Sequence, residues 1–346
     1  MTGRTMRAAV LHGREDVRIE SVPVPEVGAG EVLLRTGAAL TCGTDVKVFK
    51  RGYHARMLVP PTLFGHEIAG TVVEAGAGAA FRPGDRVVAA NSAPCEACPP
   101  CRAGRPNLCD DLLFWNGAYA EFARIPARIV ARNMLPLPDA VPFASGALVE
   151  PLACVVRGVQ ACGLDRGQSV AIFGTGPIGL LFMALARRRG AHVIAVGRRA
   201  EALARARELG AEEVVQMAEG KDVVALVRAA ASGGRGPDVV VDAVGLVETA
   251  GLALESVGKG GRVNLFAGCP AGERLGVDPA RLHYEEITVL STFHHTPDAV
   301  REALRLISSG EVEAPSFLSG TAPLEALPEI LRSAGEGGML KTAVIP

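Results

Sequence analysis

Short apolar runs cut by glycine and proline fill the first half of the chain, as in "EVLLRTGAA", "AGTVVEAG", "DRVVAA" and "YAEFARIP". Runs of this length between turn residues predict strands in a partly closed antiparallel assembly, up to about Val149. From Ser169 the rhythm changes. "SVAIFG" predicts a buried strand, and "PIGLLFMALARRR" predicts a helix with Pro177 in its first turn. "AHVIAVG" is the next strand, and "AEALARARELG" a helix closed by Gly210. "EVVQ", a helix over about 221–231, "DVVVDAVG", a helix through Leu252 and "GRVNLFAG" continue the alternation. After about Tyr284 it stops. "DAVREALRLISSG" predicts an amphipathic helix and "TAVIP" a terminal strand.

Strands alternating with helices predict an α/β fold, a Rossmann-type doubly wound parallel sheet. The layout expected is a β-rich domain built from both chain ends, residues 1–153 and 285–346, around an inserted domain of alternating strands and helices, residues 154–284.

Composition narrows the class. The 346 residues are 49% hydrophobic and 21% charged, enough apolar surface for two domain cores. A net charge of -1 gives no electrostatic reason to expect nucleic acid or an anionic membrane as partner. The N-terminal "MTGRTMRAAVLHGRED" has no apolar stretch of the secretory type. The uncharged run Gly167–Ala186 has the length of a membrane span, but "GTGP" in its middle reads as a strand-to-helix turn. A cytoplasmic protein is expected. In that reducing compartment, clustered cysteines are more often metal ligands than disulfides.

"GTGPIG" sets Gly174, Gly176 and Gly179 in G-x-G-x-x-G spacing, with Pro177 and Ile178 opening the helix. After a strand and before a helix, this pattern implies a dinucleotide site. Gly174 allows the tight turn, Gly176 lets backbone approach a pyrophosphate, and Gly179 permits close helix–strand packing. At the end of the second strand an NAD site usually carries an acid. This chain has Gly197, Arg198 and Arg199. Arginine would pair with a 2′-phosphate, so NADP is expected over NAD. The plainer alternative is a solvated helix start.

Four of the eight cysteines stand in "CEACPPCRAGRPNLC": Cys95, Cys98, Cys101 and Cys109. Four thiolates on a short loop suit a closed structural zinc site. Only Arg102 and Arg105 lie nearby, too little basic surface for a nucleic-acid zinc module. A closed shell also leaves no position for substrate, so chemistry has to reside elsewhere. Candidates are "TCGTD" with Cys42, "FGHEIAG" with His66 and Glu67, and "ALVEPLA" with Glu150. Taken singly, these read as a packing cysteine, a surface ion pair and a turn.

Together with "GHEIAGTVVEAGAG", "RPGDRVV", "GALVEPLACVVRGV", "GTGPIGLL" and "ELGAEEVV", in this order, they resemble the zinc-dependent medium-chain dehydrogenase/reductase (alcohol dehydrogenase) family over nearly the whole chain. Glutamate at Glu150, rather than cysteine, resembles its sorbitol and threonine dehydrogenase branch. The resemblance implies a GroES-like fold for the β-rich domain and two zinc ions per chain. Cys42 and His66 would ligate a catalytic zinc, with Glu67 and Glu150 completing the shell directly or through water. It implies hydride transfer between a polyol or secondary alcohol and the nicotinamide. Thr44 matches the family's proton-passing hydroxyl; otherwise it is a turn hydroxyl.

Lys47 stands where many members carry a relay histidine. It could end a proton relay if burial or a cationic neighbour lowered its pKa, contact the cofactor phosphate, or be a surface residue. Cys154, Cys162 and Cys269 read as core residues, His294 and His295 as a loop pair that could instead line the substrate or cofactor cleft, and Tyr53, Phe114 and Trp115 as candidate pocket walls. Competing functions are a sugar, aminocyclitol or threonine-type dehydrogenase and, from another class, a silent zinc- and nucleotide-binding protein. Self-association as a dimer or tetramer is expected from the resemblance.

Overall fold

The computed structural model describes residues 4–53, 57–334 and 340–346. The first three residues of the N-terminal stretch considered above fall outside them. The chain divides into two compact units, Met1–Ala153 with His295–Pro346, and Cys154–His294. The break falls inside the helix Val149–Cys162.

In the first unit the strands Met134–Pro136, Arg86–Ala89, Glu67–Ala75, Val32–Leu40, Lys341–Ile345 and Leu318–Pro323 lie side by side in that order, and Phe122–Ile125 also pairs with Val32–Leu40. All these pairings are antiparallel except that of Leu318–Pro323 with Lys341–Ile345. Ala343 and Val344 of the terminal strand pair with Leu40 and Ala39, which places both chain ends in this unit. Leu34, Ile68, Val72, Val87, Ile125 and Val344 are buried in its core. The short apolar runs marked Val32–Leu40, Glu67–Ala75, Arg86–Ala89, Phe122–Ile125 and Lys341–Ile345, whereas Met134–Pro136 and Leu318–Pro323 have no counterpart in the sequence reading.

The second unit is a parallel sheet in the order Glu213–Gln216, His192–Gly197, Ser169–Phe173, Val239–Asp242, Arg262–Leu265, Thr288–Ser291. Strand order reverses between Ser169–Phe173 and Val239–Asp242. A doubly wound sheet binds ligands outside the carboxyl ends at such a reversal. The helices Pro177–Arg188, Ala200–Glu208, Val223–Ala230 and Val247–Ser256 connect the strands. The last strand, Thr288–Ser291, has no counterpart in the sequence reading. It is a mostly exposed edge strand, so it lacks the buried apolar run that marks its neighbours. Because it pairs with Arg262–Leu265, this unit extends to His294 instead of ending at residue 284. The uncharged run Gly167–Ala186 becomes the strand Ser169–Phe173, a turn and most of the helix Pro177–Arg188. Among the described residues no helix is long and apolar enough to cross a membrane.

Candidate metal centres and dinucleotide turn

Donor atoms of Cys42, His66 and Glu67 lie within 4.8 Å of one another. Cys42 is the N-cap of the helix Gly43–Arg51, and its Sγ accepts the Thr44 N–H at 3.4 Å. His66 and Glu67 stand where the chain enters the strand Glu67–Ala75. Three neighbours missed by the sequence reading hold this group. Asp45, in the third turn position of the helix, accepts the Cys42 N–H through Oδ2 at 3.2 Å. Its Oδ1 lies 3.0 Å from His66 Nδ1. A proton held on Nδ1 leaves Nε2 free as a ligand. Lys341 of the terminal strand is buried and donates to both Glu67 oxygens, at 2.6 and 2.8 Å, and to the Thr41 carbonyl at 3.0 Å. Tyr119 completes the set, with its hydroxyl 2.5 Å from Asp45 Oδ2.

The charges follow from this packing. Burial raises the Cys42 thiol, but Lys341 and His66 outweigh it and bring it down to about 7. Burial lowers His66, yet the Asp45 carboxylate and Cys42 hold it well above the ordinary imidazole value. Burial also disfavours the Lys341 cation, and Glu67 overrides this to keep it charged. A sulfur, an imidazole nitrogen and a carboxylate oxygen within such reach of one another are a donor set that suits zinc.

Glu150 is buried in the first turn of the helix Val149–Cys162, ahead of Pro151, and not in a turn. It lies outside the three-donor group. Burial pushes its carboxyl up to about 7, against the pull of His66. His295, expected in a loop pair, is also buried. Its Nε2 lies 3.2 Å from Asn91 Oδ1 and 3.9 Å from Glu150 Oε1. Burial, then His66, lowers it to about 3, so the imidazole is neutral and its contact with Glu150 is no ion pair. Thr44 is half-buried, and Lys47 is exposed one turn further along the helix. The burial that one form of lysine relay requires is therefore absent.

The four lobe cysteines also gather their sulfurs within 4.8 Å. Backbone amides organise them: Ala97 and Cys98 donate to Cys95 Sγ at 3.4 and 3.3 Å, and Asp110 to Cys98 Sγ at 3.4 Å. Those two amides bring the Cys95 thiol down to about 6. Four thiols with amide donors and no disulfide suit a closed zinc site. Of the remaining cysteines, Cys162 is buried and Cys154 partly so, but Cys269 is exposed on the loop after Leu265, which corrects its expected place in the core. Trp115 is buried, Phe114 half-buried and Tyr53 exposed.

In the second unit Gly174 follows the strand Ser169–Phe173 with φ +109°. A Cβ at Gly179 would meet the Gly174 carbonyl oxygen at 1.9 Å, whereas one at Gly176 would meet nothing within 4 Å. The third glycine thus closes the helix onto the strand, and the second leaves open space for a ligand. Gly176 caps the helix Pro177–Arg188 without a side-chain bond, so its first N–H groups face outward. Buried Asp242, at the neighbouring strand end, holds the adjoining loop by accepting from Val244 N–H at 3.0 Å and the Thr249 hydroxyl at 3.1 Å. Gly197 ends its strand buried, and Arg198 and Arg199 are exposed beyond it.

Residues 28–139 match the alcohol dehydrogenase GroES-like domain family, and residues 177–309 the zinc-binding dehydrogenase family. A sorbitol dehydrogenase of Bombyx mori is 33% identical over 343 residues, 97% of each chain. The chain belongs to the zinc-dependent medium-chain dehydrogenases, on their sorbitol dehydrogenase-like branch. Solved relatives of this dehydrogenase include a protein described as a zinc-binding dehydrogenase from Sinorhizobium meliloti 1021, bound to NADP. It has TM-score 0.90 and 33% identity, over 99% of this chain and 100% of that one. The alcohol dehydrogenase TADH from Thermus sp. ATN1 has TM-score 0.89 and 30% identity, over 98% and 99%. This dehydrogenase is accordingly an α/β enzyme of the alcohol and polyol class, not a silent binding protein.

Proposed function

We propose that this enzyme oxidises a polyol or secondary alcohol, reversibly, with NADP as hydride acceptor. The observation that carries the reading is the group of half-buried Cys42 with buried His66 and Glu67, whose donor atoms lie within 4.8 Å of one another. A zinc ion bound there supplies Lewis acidity, which eases loss of the alcohol proton. Cys42 and His66 are the fixed ligands, with Glu67 or Glu150 as the carboxylate. Asp45 keeps the His66 proton on Nδ1. Thr44 passes the substrate proton outward. The turn Gly174–Gly179 and the first N–H groups of its helix receive the pyrophosphate. Arg198 and Arg199 receive the 2′-phosphate, where a carboxylate would repel it. Cys95, Cys98, Cys101 and Cys109 hold a second, structural zinc.

The sorbitol dehydrogenase relative supports the substrate class, and the NADP-bound relative the cofactor. The thiol-rich lobe favours a reducing, cytoplasmic setting. Self-association fits the exposed edge strand Thr288–Ser291, and sedimentation equilibrium reads it. The deciding assay is kcat/KM for polyols, sugars and amino alcohols with NADP and with NAD. Polyols with NADP should lead, and Arg198→Asp should cost NADP use about ten-fold or more while sparing NAD. A clear preference for NAD in the unaltered enzyme overturns the cofactor assignment.

A further inference from the structure

We infer that Tyr119 is a positioning residue for the catalytic metal ligands: its hydroxyl, through Asp45, orients His66. This rests on the proposed zinc site. Tyr119 is fully buried. Its hydroxyl lies 2.5 Å from Asp45 Oδ2 and 2.9 Å from the Leu40 carbonyl. The carboxylate is the stronger acceptor for the one hydroxyl proton. Asp45 then has a partner in every direction that matters. Oδ2 takes the Cys42 N–H and the Tyr119 hydroxyl, and Oδ1 takes His66 Nδ1. With Oδ2 held from two sides, the carboxylate plane cannot turn, and Oδ1 stays aimed at the imidazole.

The ring does a second job on the same ligand. The segment ending at Tyr119 runs beside Phe64 and Gly65: Gly117 and Ala118 donate to the Gly65 carbonyl, and Tyr119 to the Phe64 carbonyl at 3.0 Å. A Cβ at Gly65 would meet the Tyr119 ring at 2.5 Å, and Gly65 has φ +89°. The residue before His66 is therefore shaped against Tyr119. The aromatic ring sets the backbone entry to His66, and the phenol oxygen sets its ring through Asp45. The two contributions are separable, because Tyr119→Phe removes only the oxygen and keeps the ring against Phe64, 5.9 Å between centroids.

The test is zinc affinity by chelator competition on the full-length enzyme, resolving both ions, with thermal unfolding of the metal-free protein beside it. Outer-shell partners of ligating histidines are worth about 10–100-fold in metal affinity. Tyr119→Phe should weaken the catalytic zinc about ten-fold. It should leave the lobe zinc unchanged and the metal-free melting temperature close to that of the parent. Placed in an Asp45→Asn background, the same substitution should add less than two-fold, because both act through one carboxylate. Unchanged catalytic-zinc affinity in Tyr119→Phe overturns the inference. So does loosening of both zincs with a lower metal-free melting temperature, which marks a packing residue. A full, independent effect in the Asp45→Asn background also overturns it. If the parent enzyme takes up only one zinc, the proposed site itself falls, and this inference with it.

Discussion

Two groups of metal-type donors sit in one structural unit, and they are built in opposite ways. The four lobe cysteines lie within fifteen consecutive residues, Cys95 to Cys109, and amides of the same loop set their sulfurs. Cys42 caps a helix while His66 and Glu67 enter a strand, and besides nearby Asp45, partners far away in the chain set them. Tyr119 is 74 residues from Asp45, and Lys341 is 274 from Glu67. The lobe is a local object that a cation would staple. The other group depends on the assembled sheet, with burial strengthening the charge interactions. A closed shell suits structure, and an incomplete buried one suits chemistry.

Removing a ligand from each group breaks or sharpens this contrast. His66→Ala should cost turnover about a thousand-fold, about 4 kcal/mol of transition-state stabilisation, and reduce bound zinc from two ions to one. Retention of both ions, or of most activity, would remove the division of labour. Next in size is Lys341→Met, which leaves the buried Glu67 carboxylate without its counter-ion. Urea denaturation should report a loss of about 3–5 kcal/mol, and Lys341→Met with Glu67→Gln should recover much of it. A loss below about 1 kcal/mol would mean the pair behaves as if it were solvent-exposed.

The smallest effect on chemistry should come from the lobe. Cys98→Ser should release the second zinc and lower the melting temperature, while kcat of the remaining folded enzyme changes less than about ten-fold, since no substrate position exists there. Loss of turnover as large as that of His66→Ala, at full folding, would refute the scaffolding role. Acidification should release the zincs from both groups, because every ligand must shed its proton to bind.

Legibility followed sequence distance. The glycine turn, the helix Pro177–Arg188 and the strands on either side were readable, because period and turn chemistry are local. The edge strand Thr288–Ser291 was not, since it is exposed and lacks a buried run. Asp45 was visible inside "TCGTD" and could have been suspected as a cap partner of Cys42. Lys341 had only one signal, a lone lysine entering the apolar terminal strand. His295 stood out only as one of a histidine pair, and Tyr119 had no signal.

By itself the sequence determined which atoms are available: four clustered thiols, one thiol, imidazole and carboxylate set, and a phosphate-type turn. Residue identity, short-range spacing and period are enough for that. Only the tertiary structure decided that Glu67 is tied to Lys341, that Asp45 and Tyr119 stand behind His66, and that Glu150 feels the charges of His66 and Glu67 without being one of the three grouped donors. Those outcomes depend on which side chains are buried against one another after strands from both chain ends have paired. No local pattern carries that, because the energies concerned arise only when water has been excluded.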